Sequence, residues 1–168
     1  MRIAVVICSV GRPQSVAAIL PWVVRQTKAP SEILMVVTKP EDLPEAEVLA
    51  QTNGIPLDVI ISEKGLPRQR NRGLEAVQER CDAVFFIDDD YMPTQDALAG
   101  IEKAFESFPQ ADGVTGHLLA DGIHTGGISF DDAGRIIREF EDSGAIPPLE
   151  IDRNLVGLYG CNMAYRCD

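Results

Sequence analysis

Four short apolar runs, at residues 3–8, 33–37, 57–61 and 83–87, are separated by segments of helical periodicity. The first, Ile-Ala-Val-Val-Ile-Cys, has no charged position and is rich in β-branched residues, as a strand buried on both faces requires. Gly11-Arg12-Pro13 then breaks the run and opens a helix with Val16, Ile19, Leu20, Val23 and Val24 on one face. Pro21 lies inside that pattern and predicts a kink. Further helices are expected near 44–51, which stops at Asn53-Gly54, near 67–80, with Pro67 in the first turn, and near 94–108. Strand and helix therefore alternate four times. That order predicts an α/β fold: a Rossmann-like, mostly parallel central sheet flanked by helices on both sides.

Beyond residue 110 the pattern loosens. Gly113, Gly116, Gly122, Gly126 and Gly127 punctuate short strand candidates, and Asp131-Asp132-Ala133-Gly134 reads as a hairpin turn. Glu139-Phe140-Glu141-Asp142 reads as a solvated acidic turn, Pro147-Pro148 as a loop, and residues 155–165 as a last strand. The 168 residues suit one domain, with a nucleotide-binding half at 1–110 and a mixed, loop-rich C-terminal part at 111–168. The chain carries 15 Lys and Arg against 26 Asp and Glu, a net charge of −11, which argues against a nucleic-acid partner. An anionic substrate would need a local basic cluster or a metal ion. The longest apolar stretch, 16–24, is shorter than the ~20 residues that span a bilayer, so no membrane segment is expected. Cys8, Cys81, Cys161 and Cys167 are far apart without CxxC spacing, and read as reduced thiols of a cytoplasmic protein.

The strongest chemical signal is Phe85-Phe86-Ile87-Asp88-Asp89-Asp90-Tyr91-Met92-Pro93, an apolar strand ending directly in three carboxylates. Ligands of open α/β sheets bind beyond the carboxyl ends of the strands. Side chains alternate along a strand, so Asp88 and Asp90 share a face and Asp89 points away. With no lysine beside them the two carboxylates repel, and a hard divalent cation, Mg²⁺ or Mn²⁺, would relieve that. Such an ion could bridge a diphosphate; alternatively the acids cap the next helix.

The second signal, Lys64-Gly65-Leu66-Pro67-Arg68-Gln69-Arg70-Asn71-Arg72-Gly73, gathers four of the fifteen cations. At helical spacing Arg70 shares a face with Leu74 and Val77, while Arg68, Arg72 and Glu79 fall on the solvated side. An inward arginine near a helix N-terminus suits an anion, although a basic surface turn accounts for Arg68 and Arg72. There is no GxGxxG, P-loop or GxSxG motif, and His117 and His124 make a weak zinc pair.

Read in order, these segments resemble the nucleotide-binding half of family 2 glycosyltransferases of GT-A fold. The opening strand and Arg-Pro turn at 5–13, Gln26-Thr27 with Pro30-Ser31-Glu32-Ile33, Arg70-Asn71-Arg72-Gly73, the DXD motif at Asp88-Asp89-Asp90 and Gly160-Cys161-Asn162-Met163-Ala164-Tyr165-Arg166 all match family elements. The resemblance implies a metal-dependent transfer of sugar from a nucleotide-diphosphate donor to an unidentified carbohydrate, lipid or protein acceptor. The transfer would be inverting, with a carboxylate general base. By the same resemblance Ser9 and Val10 line the nucleobase pocket, and Arg70 contacts the nucleotide. Asp88 would lie on the ribose side, and Asp88 and Asp90 would hold Mn²⁺ or Mg²⁺. Asp89 would belong to the substrate-binding set, and Asn162 would lie near the donor sugar or acceptor. Thr38-Lys39-Pro40 stands where the family places an acidic residue for the base. The family's catalytic base follows the Gly-x-Asn-x-x-x-Arg strand, so the resemblance implies a base beyond residue 168 and a domain truncated at its C-terminus. A non-catalytic nucleotide-sugar binding module and a nucleotidyltransferase are the alternative expectations.

Overall fold

The computed structural model describes residues 1–122, 126–151 and 158–167. Six strands form one sheet in the order β3-β2-β1-β4-β6-β5. These are β1 (Ile3–Cys8), β2 (Glu32–Val37), β3 (Leu57–Ile61), β4 (Ala83–Asp88), β5 (Gly113–Thr115) and β6 (Asn162–Arg166). The first four are mutually parallel, and β6 runs antiparallel to both β4 and β5. The mostly parallel sheet expected from the alternating pattern is therefore present. Antiparallel β6, entered from the loop-rich part, supplies the mixed edge.

The helices are α1 (Pro13–Val24), α2 (Ala46–Leu49), α3 (Leu66–Val77), α4 (Ala97–Ser107) and α5 (Phe130–Ser143). Alternation of side chains along β1 builds two cores. Ile3, Val5 and Ile7 pack with Val16, Ile19, Leu20 and Val23 of α1 and Leu98, Ile101 and Phe105 of α4. Ala4, Val6 and Cys8 pack on the opposite face with Leu34, Val36, Phe86 and Val77 of α3. Pro21 lies within α1, which continues to Val24.

Residues 131–134 are not a hairpin turn; they are the first turns of α5. The Ser129 hydroxyl accepts the Asp132 amide, and Asp131 and Asp132 put negative charge at the helix N-terminus. Gly144 closes the far end at φ 67°, a left-handed conformation that glycine adopts freely. Glu139 to Asp142 consequently lie on this helix. Glu141 accepts the Arg25 guanidinium at 2.6 Å and the Gln95 amide at 2.8 Å, tying α5 to α1 and to the start of α4.

The last strand is shorter than the expected 155–165, and residues 155–157 of that expectation, like His124, lie outside the described residues. Cys8 and Cys81 are buried, and no disulfide joins the described cysteines. The Cys81 and Cys167 sulfurs nevertheless lie 3.3 Å apart. Among the described residues no helix is long and apolar enough to cross a membrane.

Candidate functional site

Strand order reverses at the β1–β4 boundary, because the chain leaves β1 toward β2 on one side and returns at β4 on the other. A crevice at such a switch point, beyond the carboxyl ends of the strands, is where open α/β sheets take ligands. Five predicted site residues meet there. Ser9 follows β1, Thr38 follows β2, and Asp88 ends β4 with Asp89 and Asp90 behind it.

Asp89 turns inward, opposite in sense to its two neighbours. It is fully buried and accepts the Ser9 hydroxyl at 2.5 Å through Oδ2. Asp88 stays partly open and is bound by Arg70 Nη2 at 2.7 Å. The same guanidinium nitrogen reaches the Gly160 carbonyl at 2.6 Å, so Arg70 joins α3, β4 and the approach to β6. Arg70 lies inward with Leu74 and Val77, while Arg68 and Arg72 are exposed, as helical spacing requires. Burial pushes the Asp88 carboxyl above its usual range against the pull of Arg70. Burial does the same to Asp89, against the Ser9 hydroxyl and Arg12.

The repulsion expected among the carboxylates is met by arginine. Arg12 Nη1 lies 3.0 Å from Asp90 Oδ2, and Nη2 lies 2.5 Å from Asp89 Oδ1. The second contact lacks hydrogen-bond geometry, so at Asp89 Oδ1 the guanidinium acts as a charge rather than a donor. Sequence reading placed Arg12 only in a turn; the contact joins residues 78 positions apart, which no local pattern reveals.

Thr38 is likewise committed. Its hydroxyl donates to Asp42 Oδ2 at 2.6 Å, its amide donates to the same oxygen at 3.0 Å, and the Gly11 amide donates to Oδ1 at 2.9 Å. Asp42, at the end of the 3-10 turn Pro40–Asp42, is fully buried. Chiefly the Thr38 hydroxyl, then the two amides, hold its carboxyl below the usual range against burial. The acid missing at position 38 thus reaches the end of β2 from four residues later, but it is spent on the β1 and β2 ends. Gln69, also unremarked in the sequence, is buried and donates through Nε2 to the carbonyls of Ser9 and Val36.

Val10 is half-buried beside this crevice. Asn162, at the start of β6, is buried with its amide engaged on both sides by the Gly116 backbone, accepting at 2.6 Å and donating at 3.2 Å. Arg166, at the opposite end of β6, donates to the carbonyls of Ala111 and Phe105 and lies over the Phe105 ring. It holds the sheet edge and lies away from the crevice.

Among the described residues no three His, Cys, Asp or Glu side chains converge as a ready-made metal cage. The donors present are all carboxylate oxygens, with Asp90 open to solvent and Asp88 partly so. A hard divalent cation fits this set as an ion shared between one or two carboxylates and the oxygens of its ligand.

The family model described as glycosyl transferase family 2 matches residues 4–168. No curated protein sequence matches the chain. Among solved structures, the mannosyltransferase PcManGT of Pyrobaculum calidifontis, in complex with GDP-Man and Mn²⁺, aligns at TM-score 0.62 and 15% identity over 98% of this chain and 44% of that one. The glucosyl-3-phosphoglycerate synthase of Mycobacterium tuberculosis, with Mn²⁺, UDP and glucosyl-3-phosphoglycerate, aligns at 0.59 and 15% over 99% and 57%. The 4-diphosphocytidyl-2C-methyl-D-erythritol synthase of Anaerococcus prevotii aligns at 0.54 and 12% over 99% and 70%. These likenesses establish the fold. The chain spans about half the length of the two glycosyl-transferring enzymes.

Proposed function

The chain belongs to glycosyl transferase family 2, and from that premise we propose that it binds a nucleotide-diphosphate sugar with a divalent cation and serves metal-dependent, inverting transfer of the sugar to an acceptor. The observation that carries this reading is the carboxylate trio at the end of β4, flanked by Arg70 and Arg12 at the switch point. Asp90, with Asp88, would hold Mn²⁺ or Mg²⁺. That ion would neutralise charge growing on the departing diphosphate. Arg70, fixed by Asp88 and Gly160 near the start of α3, presents a positive charge where a nucleotide would lie. Ser9 anchors Asp89, and Asp89 in turn faces Arg12, so the β1 end and the β4 end keep one spacing. Val10 and Thr38 would border the base, and Asn162, through Gly116, would shape the sugar side. The catalytic base is left unassigned among the residues of this chain.

A second reading, nucleotidyl transfer, draws on the 4-diphosphocytidyl-2C-methyl-D-erythritol synthase likeness. It calls for a Gly-rich, Arg- and Lys-bearing loop after β1. Here that connection holds one glycine, and its arginine is turned onto Asp89 and Asp90, which favours glycosyl transfer.

A ligand that binds only the folded chain raises its stability by about 2.7 kcal/mol at a hundred times Kd, or roughly 5–10 °C in Tm at this size. We expect UDP, GDP or dTDP with Mn²⁺ to produce such a rise. Asp90→Ala should abolish the part that depends on Mn²⁺. No shift with any of the three nucleotides removes the donor-site reading; equal shifts in parent and variant remove Asp90 from it.

A further inference from the structure

Asp88, Asp89 and Asp90 carry three negative charges, and Arg12 and Arg70 return two positive ones. The two arginines are held differently. Arg70 has 17% of its side chain exposed and bridges Asp88 to a backbone carbonyl, so it is part of the scaffold. Arg12 lies just before α1 with 53% of its side chain exposed, and its guanidinium touches only Asp89 and Asp90 among the described residues. The carboxylates it spans differ as well. Asp89 has no exposed side-chain surface, and apart from Arg12 its Oδ1 has no partner. A buried carboxylate is costly without a countercharge. Asp90 is 57% exposed and open to a second ligand.

We propose that Arg12 is the resident cation of the Asp89–Asp90 pair, that a divalent ion held by Asp90 and Asp88 competes with it for Asp90, and that a nucleoside diphosphate relieves the competition by giving the guanidinium a second anion. This inference rests on the donor-site reading above. The charge arithmetic motivates it. With both arginines in place the cluster holds one net negative charge, and a dication added to it leaves one net positive charge. Two changes restore balance: the half-exposed guanidinium leaves, or phosphate oxygens arrive. Moving off Asp90 is inexpensive for Arg12, because half its side chain and more than half of Asp90 are already in water, and its planar fork pairs with phosphate as readily as with carboxylate. Metal and nucleotide binding are then coupled through one side chain, and each must strengthen the other by the same factor.

The test is Mn²⁺ uptake by the whole chain, read from the loss of the free-ion EPR signal, with and without UDP or GDP. The parent should bind Mn²⁺ weakly alone and about tenfold or more tightly with nucleotide, within the usual range of coupling. Arg12→Gln should bind Mn²⁺ alone about tenfold more tightly than the parent and lose most of the nucleotide enhancement. Arg12→Lys keeps the countercharge that Asp89 needs but spans only one carboxylate at a time. It should fall between the two, and it carries the test should the glutamine variant fold poorly. Equal Mn²⁺ affinity and equal enhancement in parent and variants would overturn the competition while leaving the donor site standing. Weaker Mn²⁺ binding in the variants would overturn it too, by making Arg12 a support for the ion. Absence of Mn²⁺ uptake by the parent with either nucleotide would remove the donor-site reading, and this inference with it.

Discussion

Gly73→Val should destabilise the chain by about 3 kcal/mol, lowering Tm by roughly 6–12 °C at this size. A Cβ built at Gly73 would lie 2.6 Å from Cγ1 of Val6 and 3.3 Å from Cγ2 of Val36, both on buried strands at the middle of the sheet. Helix α3 therefore touches β1 and β2 backbone-close at this turn, and only the absence of a side chain permits it. The neighbours cannot yield, since Val6 and Val36 are themselves packed in the core. Arg70 is one turn away on the same helix, so lifting α3 also draws its guanidinium from Asp88 and Gly160. Nucleotide-dependent stabilisation should fall with stability. Gly100 is the internal control. It too lies inside a helix, but nothing stands within 4 Å of its Cβ position, so Gly100→Ala should stabilise by up to about 1 kcal/mol. Calorimetry showing Gly73→Val within 2 °C of the parent would mean that α3 does not press on the sheet there.

This glycine illustrates how much of the fold was legible in the sequence. The alternation of apolar runs placed β1 to β4 within a residue of their true ends: β1, β2 and β4 because a strand buried on both faces cannot hide its composition, and β3, which leaves Val59 and Ile61 exposed, by its apolar run alone. The inward stripe of Arg70, Leu74 and Val77 was readable for the same reason. At residues 131–134 the reading failed. Two aspartates and a glycine resemble a turn, yet Ser129 caps them, and Phe130, Gly134 and Ile137 recur at helical spacing. The cap and the period outweighed the local turn chemistry.

The carboxylate trio was legible as a cluster at the end of β4, and alternation set Asp89 on the side opposite Asp88 and Asp90, the side that proves to be buried. Its electrostatics were not visible. Relief of the repulsion by Arg12 depends on a contact between residues 78 apart, created when β1 and β4 become neighbours. Asp42 was hidden in a different way. It stands in a polar stretch of Lys, Pro and Glu that composition assigns to a solvated loop. Only the turn at Pro40–Asp42 folds its carboxylate back under Thr38.

Asp42→Asn should be the second large loss, on the order of 3 kcal/mol at neutral pH. The carboxylate is fully buried and accepts three donors, the amides of Gly11 and Thr38 and the Thr38 hydroxyl. An asparagine of equal size offers one acceptor oxygen and turns its NH₂ group toward donors. At least one buried N–H is left unpaired, and the Gly11 turn that delivers Arg12 to Asp89 and Asp90 is loosened. The pH dependence has a defined sign. The Asp42 carboxyl is held below its usual range in the folded chain, so the folded state binds its proton less readily than the unfolded state does. Its contribution is complete above the unfolded pKa of about 4 and is lost as pH falls through the lower folded value. Urea titrations of parent and variant should therefore differ by a constant amount from pH 7 to pH 5, and converge below about pH 4. A difference that grows as the solution is acidified, or that is absent at pH 7, would show that this carboxylate is not the clamp joining the ends of β1 and β2. The effect on Mn²⁺ separates the clamp from mere stability. At a temperature where Asp42→Asn is still folded, a freed Gly11 turn should release Arg12 and raise nucleotide-independent Mn²⁺ uptake. A turn held by other contacts would leave that uptake unchanged.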